Sequence, residues 1–193
     1  MIRKLVFTTV LTVSLLVLGG CGGGDDPVAA QTAANGAPFD QAFIDAMVPH
    51  HREAIAMAKE AQEGGLETEE LQTVSAEIIA AQEREIAQML DWREEWFGSR
   101  EIGSGGAAAL GLSDDEAGML MHESGSIATS GDVDQAFAEG MIPHHEGAIA
   151  MAKLAQDRAS HEELRSLADA IVSAQEDEID VLRKHSGGGM NHG

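Results

Sequence analysis

One stretch of this chain occurs twice, and it decides the fold. Residues Met47–Lys59 read MVPHHREAIAMAK, and residues Met141–Lys153 read MIPHHEGAIAMAK. Ten of the thirteen positions are identical, and the copies are 94 residues apart. A repeat of this kind indicates two copies of one structural unit. Each copy holds a histidine pair between two methionines, which raises the question of metal binding.

The sequence around both copies predicts long helices. Apolar residues recur at helical spacing over four segments, and no segment alternates as a strand would. A later stretch also repeats, since Ala81–Ile86 (AQEREI) matches Ala174–Ile179 (AQEDEI). The unit is therefore a helical hairpin, and two hairpins bury their apolar faces most simply as an all-α four-helix bundle. The predicted helices are Phe39–Glu63, Glu67–Phe97, Val133–Arg158 and His161–His185.

Capping signals divide the rest of the chain. Asp132 is a predicted N-cap, and Ser160–Glu163 has the form of a capping box at the last helix. Ser113–Glu116 has the same form and predicts a short helix at Asp114–Glu123. We assign residues 38–185 to one metal-binding domain, with repeats at 39–97 and 133–185, a linker at 98–132 and a disordered tail at 186–193.

The N-terminal residues predict export and a lipid anchor. Two basic residues precede an apolar run at Leu5–Leu18, which is too short for a membrane span and is typical of a signal peptide over residues 1–20. Leu18–Cys21 (LGGC) then resembles a bacterial lipobox, with Cys21, the only cysteine, as the lipidated first mature residue. Residues 21–37 are expected to form a flexible tether from the membrane. The net charge of −21 argues against nucleic acid as a partner.

The histidine pairs lie on or beside the apolar faces of their helices. Met47, His50 and Met57 share one face of the first helix, with His51 in the neighbouring row. The second copy places Met141, His144, His145 and Met151 in the same way. Imidazole and thioether together suit copper, and the thioethers favour Cu(I) over Cu(II). Binding through ordinary imidazoles is expected to fade near pH 6.

Two carboxylates interrupt the apolar rows of the second and fourth helices. Glu85 and Glu178 stand at matching positions, and Met89 follows Glu85 by one turn. An inward carboxylate needs a protonated histidine, an arginine or a metal ion as partner. Pairing with His50 and His144 in a metal-free polar network stays open, as does methionine as simple core filler.

The pattern F-D-x-x-F, M-[VI]-P-H-H, A-I-x-M-A and then A-Q-x-x-E-I resembles the domain-of-unknown-function 305 family, which includes CopM-type copper-binding proteins of the bacterial periplasm. The resemblance covers Phe39–His185 in both halves. It implies a ferritin-like four-helix fold, a cell-envelope location and copper tolerance. By position it implies eight ligands: Met47, His50, His51, Met57, Met141, His144, His145 and Met151.

The combined expectation is a non-enzymatic lipoprotein that sequesters copper at the cell envelope. A ferritin-like di-metal oxidase is one alternative, although no histidine here follows a glutamate by three residues, as that chemistry usually requires. A metal-free structural or interaction bundle is another. Binding of another divalent metal and homo-oligomerisation both stay open.

Overall fold

The computed structural model describes residues 31–119 and 126–187, and this part of the chain is all-α, as predicted. Its only extended pairing is an isolated bridge between Thr32 and Pro38. No helix in the described ranges is long and apolar enough to cross a membrane. The helices are α1 Phe39–Gly64, α2 Glu69–Phe97, α3 Gly106–Leu110, α4 Val133–Arg158 and α5 Glu162–Leu182.

The four long helices form the predicted bundle of two hairpins. Helix α1 packs along α2, α4 packs along α5, and the first helices of the two repeats, α1 and α4, meet at the centre. These central helices are antiparallel, because Phe39 at the start of α1 packs under Arg158 at the end of α4. The other end mirrors this contact, since Gly64 lies against Val133. The paired sequence motifs therefore face each other across the middle of the bundle.

Each repeat caps a helix of the other repeat. The Asp40 carboxylate in α1 accepts hydrogen bonds from the backbone N–H groups of Ser160 (2.9 Å) and His161 (2.9 Å), where α5 begins. Asp134, 94 residues after Asp40, accepts from the residues that precede α2, Glu67 and Thr68, at 2.8 and 2.9 Å. The predicted capping box at the start of α5 is therefore wrong, because its orphan N–H groups are taken by Asp40.

The predicted N-cap of α4 is confirmed, but the predicted linker helix is wrong. Asp132 accepts from the backbone N–H of Gln135 at 2.9 Å. Ser113 and Glu116 do make the hydrogen bonds of a capping box, yet residues 114–118 form a turn. The helix that forms is α3, in an Ala- and Gly-rich run without apolar periodicity. Residues 120–125, the rest of the predicted helix, lie outside the described residues.

Both ends of the described chain pack on the bundle. Within the predicted tether, Ala33 is buried and the Ala34 backbone N–H donates to Ala109 O at 2.9 Å, so residues 31–37 are not a free linker. Helix α5 ends at Leu182, three residues earlier than predicted, and the Gly187 backbone N–H donates to Glu139. The predicted signal peptide at 1–20, the predicted lipidation site Cys21 and the tail beyond 187 lie outside the described residues.

Candidate metal centre

The four paired histidines are buried where the two central helices cross. His50 of α1 and His144 of α4 meet there, with ring centroids 3.8 Å apart and ring planes tilted by 39°. His51 and His145 are the next residues on each helix, and adjacent helical residues diverge by about 100°. The pairs therefore split into two inner imidazoles that face each other and two outer imidazoles that face α2 and α5.

Each outer histidine meets one of the two carboxylates predicted to lie in the interior. His51 Nε2 lies 2.7 Å from Glu85 Oε2, and His145 Nε2 lies 2.8 Å from Glu178 Oε2. The first contact has hydrogen-bond geometry, whereas the second has the distance of an ion pair without the hydrogen-bond angle. Both carboxylates are partly exposed, at 18% and 15%, so each pair links the interior to the surface. The partners are thus the outer histidines and not His50 and His144.

The hydrogen bonds fix which ring nitrogen of these histidines is available. His50 Nε2 donates to the Ala117 carbonyl oxygen at 2.9 Å, because a carbonyl can only accept. In the neutral ring Nδ1 then keeps its lone pair. The Nδ1 atoms of His50, His51 and His145 are all buried without a hydrogen-bond partner in the described residues. A neutral imidazole with one nitrogen held by an acceptor and the other bare is the arrangement of a metal-binding histidine.

Burial keeps His50 neutral. Desolvation is the main cause that lowers the pKa of His50 from 6.5 to about 3, and the nearby His51 and His145 lower it further. The hydrogen bond to Ala117 acts in the opposite direction but does not prevail. The lone pair of His50 is thus available below pH 6, which distinguishes it from the ordinary imidazole for which fading near pH 6 is expected.

A segment of the linker, residues 113–119, covers the inner histidines, and we call it the strap. Ala117 within it is fully buried and supplies the carbonyl that binds His50. The strap lies so close to α4 that a Cβ atom at Gly147 would overlap the Ala117 backbone. Gly118 has a φ of +65° and would also clash with α4 if it carried a side chain. The first repeat has Glu53 where the second has Gly147, so only one repeat is shaped to receive the strap.

All five predicted methionine ligands are buried, but they group across the repeats. Met47, Met89 and Met151 belong to one packed cluster, and Met57 and Met141 belong to another. The antiparallel crossing explains this, because it sets the start of α1 beside the end of α4. In residues 31–119 and 126–187, no three His, Cys, Asp or Glu side chains already form a group that could hold a metal ion. Thioethers or other donors must complete any such site.

Comparison with known proteins identifies the family. The profile described as "Domain of unknown function (DUF305)" matches residues 23–92 and 40–186. The chain belongs to the DUF305 family. No curated protein is significantly similar to it.

Solved structures of DUF305 type share the fold. The chain is similar to a protein described as "CopM in the Cu(I)-bound form", with 33% identity, a TM-score of 0.63, and coverage of 75% of this chain and 93% of that one. For "CopM in the Cu(II)-bound form" the identity is 35% and the TM-score 0.64, over the same shares. A putative secreted DUF305 protein from Streptomyces coelicolor has a TM-score of 0.67 over 79% of this chain and 98% of that one, and its 24% identity shows the fold alone.

Two glutamines of this DUF305 chain escaped the sequence analysis. Gln82 and Gln175 are buried at matching positions, and the side-chain oxygen Oε1 of each has no hydrogen-bond partner in the described residues. A signal for them exists, because the inward row of α2 steps from Ile78 to Glu85, seven residues apart. Heptad spacing requires an inward residue between them, and Gln82 occupies that place.

Proposed function

We propose that this DUF305 protein binds copper inside its four-helix bundle and thereby sequesters it in the cell envelope. One observation carries the proposal: three buried imidazoles present bare Nδ1 atoms, and two of them have Nε2 held by an acceptor. Burying such groups unpaired costs free energy, and a soft or borderline metal ion would recover it. The solved CopM structures, with copper or silver bound, support a metal of this class.

The proposed ligands come from both repeats. Imidazole nitrogens of the four paired histidines provide the borderline donors, and the buried thioethers on the same helices provide the soft donors that favour Cu(I) over Cu(II). Glu85 acts on the ring of His51, because a carboxylate that holds Nε2–H raises the basicity of Nδ1 and fixes the ring orientation. Glu178 lies at ion-pair distance from His145 in the matching place. The structure thereby favours an orienting role for the two carboxylates over direct ligation.

Metal titration of the mature domain tests the proposal. The parent should bind Cu(I) and Cu(II), and a variant with alanine at His50, His51, His144 and His145 should lose most of both affinities. Changing Met47 and Met141 to leucine should weaken Cu(I) more than Cu(II), since thioether sulfur prefers the monovalent ion. A parent that binds neither ion, or that prefers zinc to Cu(I), would refute copper binding.

A metal-free bundle is a second candidate, and a specific observation favours it. The contacts of His51 with Glu85 and of His145 with Glu178 already give the two carboxylates partners without a metal. Metal analysis of protein purified without added metal separates the candidates, because the bundle alone would carry none. Iron in place of copper would instead favour the di-metal oxidase.

The proposal includes the location of the protein at the cell envelope, and it assigns the protein no catalytic activity. The lipobox-like Leu18–Cys21 supports a lipid anchor at Cys21, with the domain outside the cytoplasm. Cys21→Ser should release the protein from the membrane fraction or leave it as precursor. Fractionation of this variant like the parent, at mature size, would contradict the anchor.

A further inference from the structure

The two buried glutamines form a matched pair within the bundle. Gln82 of α2 and Gln175 of α5 are each 3% exposed, and each lies one turn before the carboxylate that binds an outer histidine. The Oε1 atom of each is buried and has no hydrogen-bond partner in the described residues. The same unusual feature therefore occurs once in each repeat.

The register of the hairpins places these glutamines one turn from the level of the inner histidines. Two contacts, His51 with Glu85 and Gln62 with Ser75, align α1 with α2 so that Gln82 lies level with Ala54, one turn beyond His50. The contact of His145 with Glu178 likewise sets Gln175 level with Ala148, one turn beyond His144. Both alanines are fully buried. Each glutamine is therefore level with a small, buried residue of the facing helix.

A structural role does not account for the two oxygens. A buried carbonyl oxygen without a partner costs about 1–3 kcal/mol, whereas a leucine of similar size would fill the same place without that cost. An amide that only stabilised the apoprotein would have its buried oxygen paired. The orphan oxygens point instead to a polar group that arrives with a ligand.

We propose that Gln82 and Gln175 are oxygen donors of the metal centre and that they set its preference between the two copper oxidation states. This inference rests on the proposed function. Carbonyl oxygen and water suit harder divalent ions, whereas thioether sulfur suits Cu(I). Each Oε1 binds the divalent ion, directly or through a water on it, and the methionines serve the monovalent ion. The interior thus holds a donor type for each state.

The test compares Gln82→Leu/Gln175→Leu with the parent. The affinity for Cu(II) should fall by about tenfold, the equivalent of one lost hydrogen bond or ion contact. The affinity for Ag(I), a monovalent probe that does not change oxidation state under these conditions, should stay within about twofold. Gln62→Leu on the surface of the same hairpin is the control, and it should change neither affinity.

Unfolding of the apoproteins distinguishes the proposal from a purely structural role, which predicts that the leucine variant is less stable than the parent. The leucine variant should unfold at the same or a higher urea concentration, since it removes two unpaired acceptors. Marked destabilisation with unchanged Cu(II) affinity would overturn the proposal, as would equal losses for Cu(II) and Ag(I). If the leucine variant does not fold, Gln82→Asn and Gln175→Asn take its place in the test. These changes retain the amide on a shorter side chain, and they should also lower the affinity for Cu(II).

The outcomes separate this inference from the proposed function. If the histidine variant loses copper and the glutamine variants bind like the parent, only the glutamine proposal fails. If the parent binds no copper in either state, both fail together.

Discussion

Acid should destabilise the apoprotein through His50 between pH 7 and pH 5, a range in which few other groups change protonation. The pKa of His50 is about 3 in the folded protein, against 6.5 as its ordinary value. Below pH 6.5 the unfolded chain binds a proton at this residue, whereas the folded protein does not. The free energy of unfolding therefore decreases as the pH falls. Between pH 7 and pH 5 the difference amounts to about 2 kcal/mol, at 1.36 kcal/mol per pKa unit.

Urea unfolding of metal-free protein, followed by helical circular dichroism at pH 7, 6 and 5, measures this loss. His50→Gln is the appropriate change, because a glutamine amide can still donate to the Ala117 carbonyl but does not titrate. The free energy of unfolding of the parent should fall by about 2 kcal/mol more than that of the variant over this window. Ser75→Ala is the control, since it removes a buried hydroxyl group and no titratable group. It should keep the pH dependence of the parent.

The choice of pH window makes the result decisive. Ordinary carboxyl groups titrate near pH 4, and the pKa values of Glu70, Glu116 and Asp134 are lowered further by their hydrogen bonds, so these groups change little above pH 5. Identical pH dependence in the parent and in His50→Gln would show that His50 is solvated or already protonated, and the buried neutral imidazole would then be wrong.

Three further predictions follow from the contacts around the site. Gly147→Ala should push the strap off α4, lower the urea midpoint and speed metal uptake in stopped-flow mixing, whereas Gly131→Ala, which has open space, should change neither. Asp40→Ala should lower the free energy of unfolding by about 2 kcal/mol, since two N–H groups at the start of α5 lose their acceptor; unchanged denaturation would contradict cross-repeat capping. Glu85→Gln should weaken copper binding by about tenfold, because it removes the charge behind an outer imidazole, and the surface change Glu83→Gln should leave the titration unaltered.

Much of the fold could be predicted because the helical signals are local. The periodicity gave the starts of α1 and α4 at Phe39 and Val133, where apolar spacing begins beside a proline or an N-cap residue. The capping of α5 could not be predicted in this way. Its acceptor, Asp40, is 120 residues distant from Ser160 in the chain, and only the antiparallel meeting of the two repeats brings them together.

The chemistry of the site was predictable by residue type more than by partner. Histidines and carboxylates were both expected inside, but the pairing of Glu85 with His51 in place of His50 depends on which face of α1 meets α2. The strap could not be foreseen at all, because its fit depends on the absence of a side chain at Gly147 and on the backbone path of a linker without periodicity. Gln82 was not predicted to be buried, because the helical spacing of apolar residues gives no information about a polar residue between them.

The antiparallel crossing also changes the meaning of the repeated motif. Met47 and Met57 are ten residues apart on one helix, and at 1.5 Å per residue their backbones are separated by about 15 Å. One ion bound at His50 cannot use both of them without leaving the helix geometry. A soft donor set drawn from the motif methionines therefore combines thioethers from opposite repeats, since Met47 shares a packed cluster with Met151 and Met57 shares another with Met141. Each copy of the motif supplies one methionine to each of the two clusters. The motif copy of one repeat alone therefore does not contain the set of donors that the whole bundle offers.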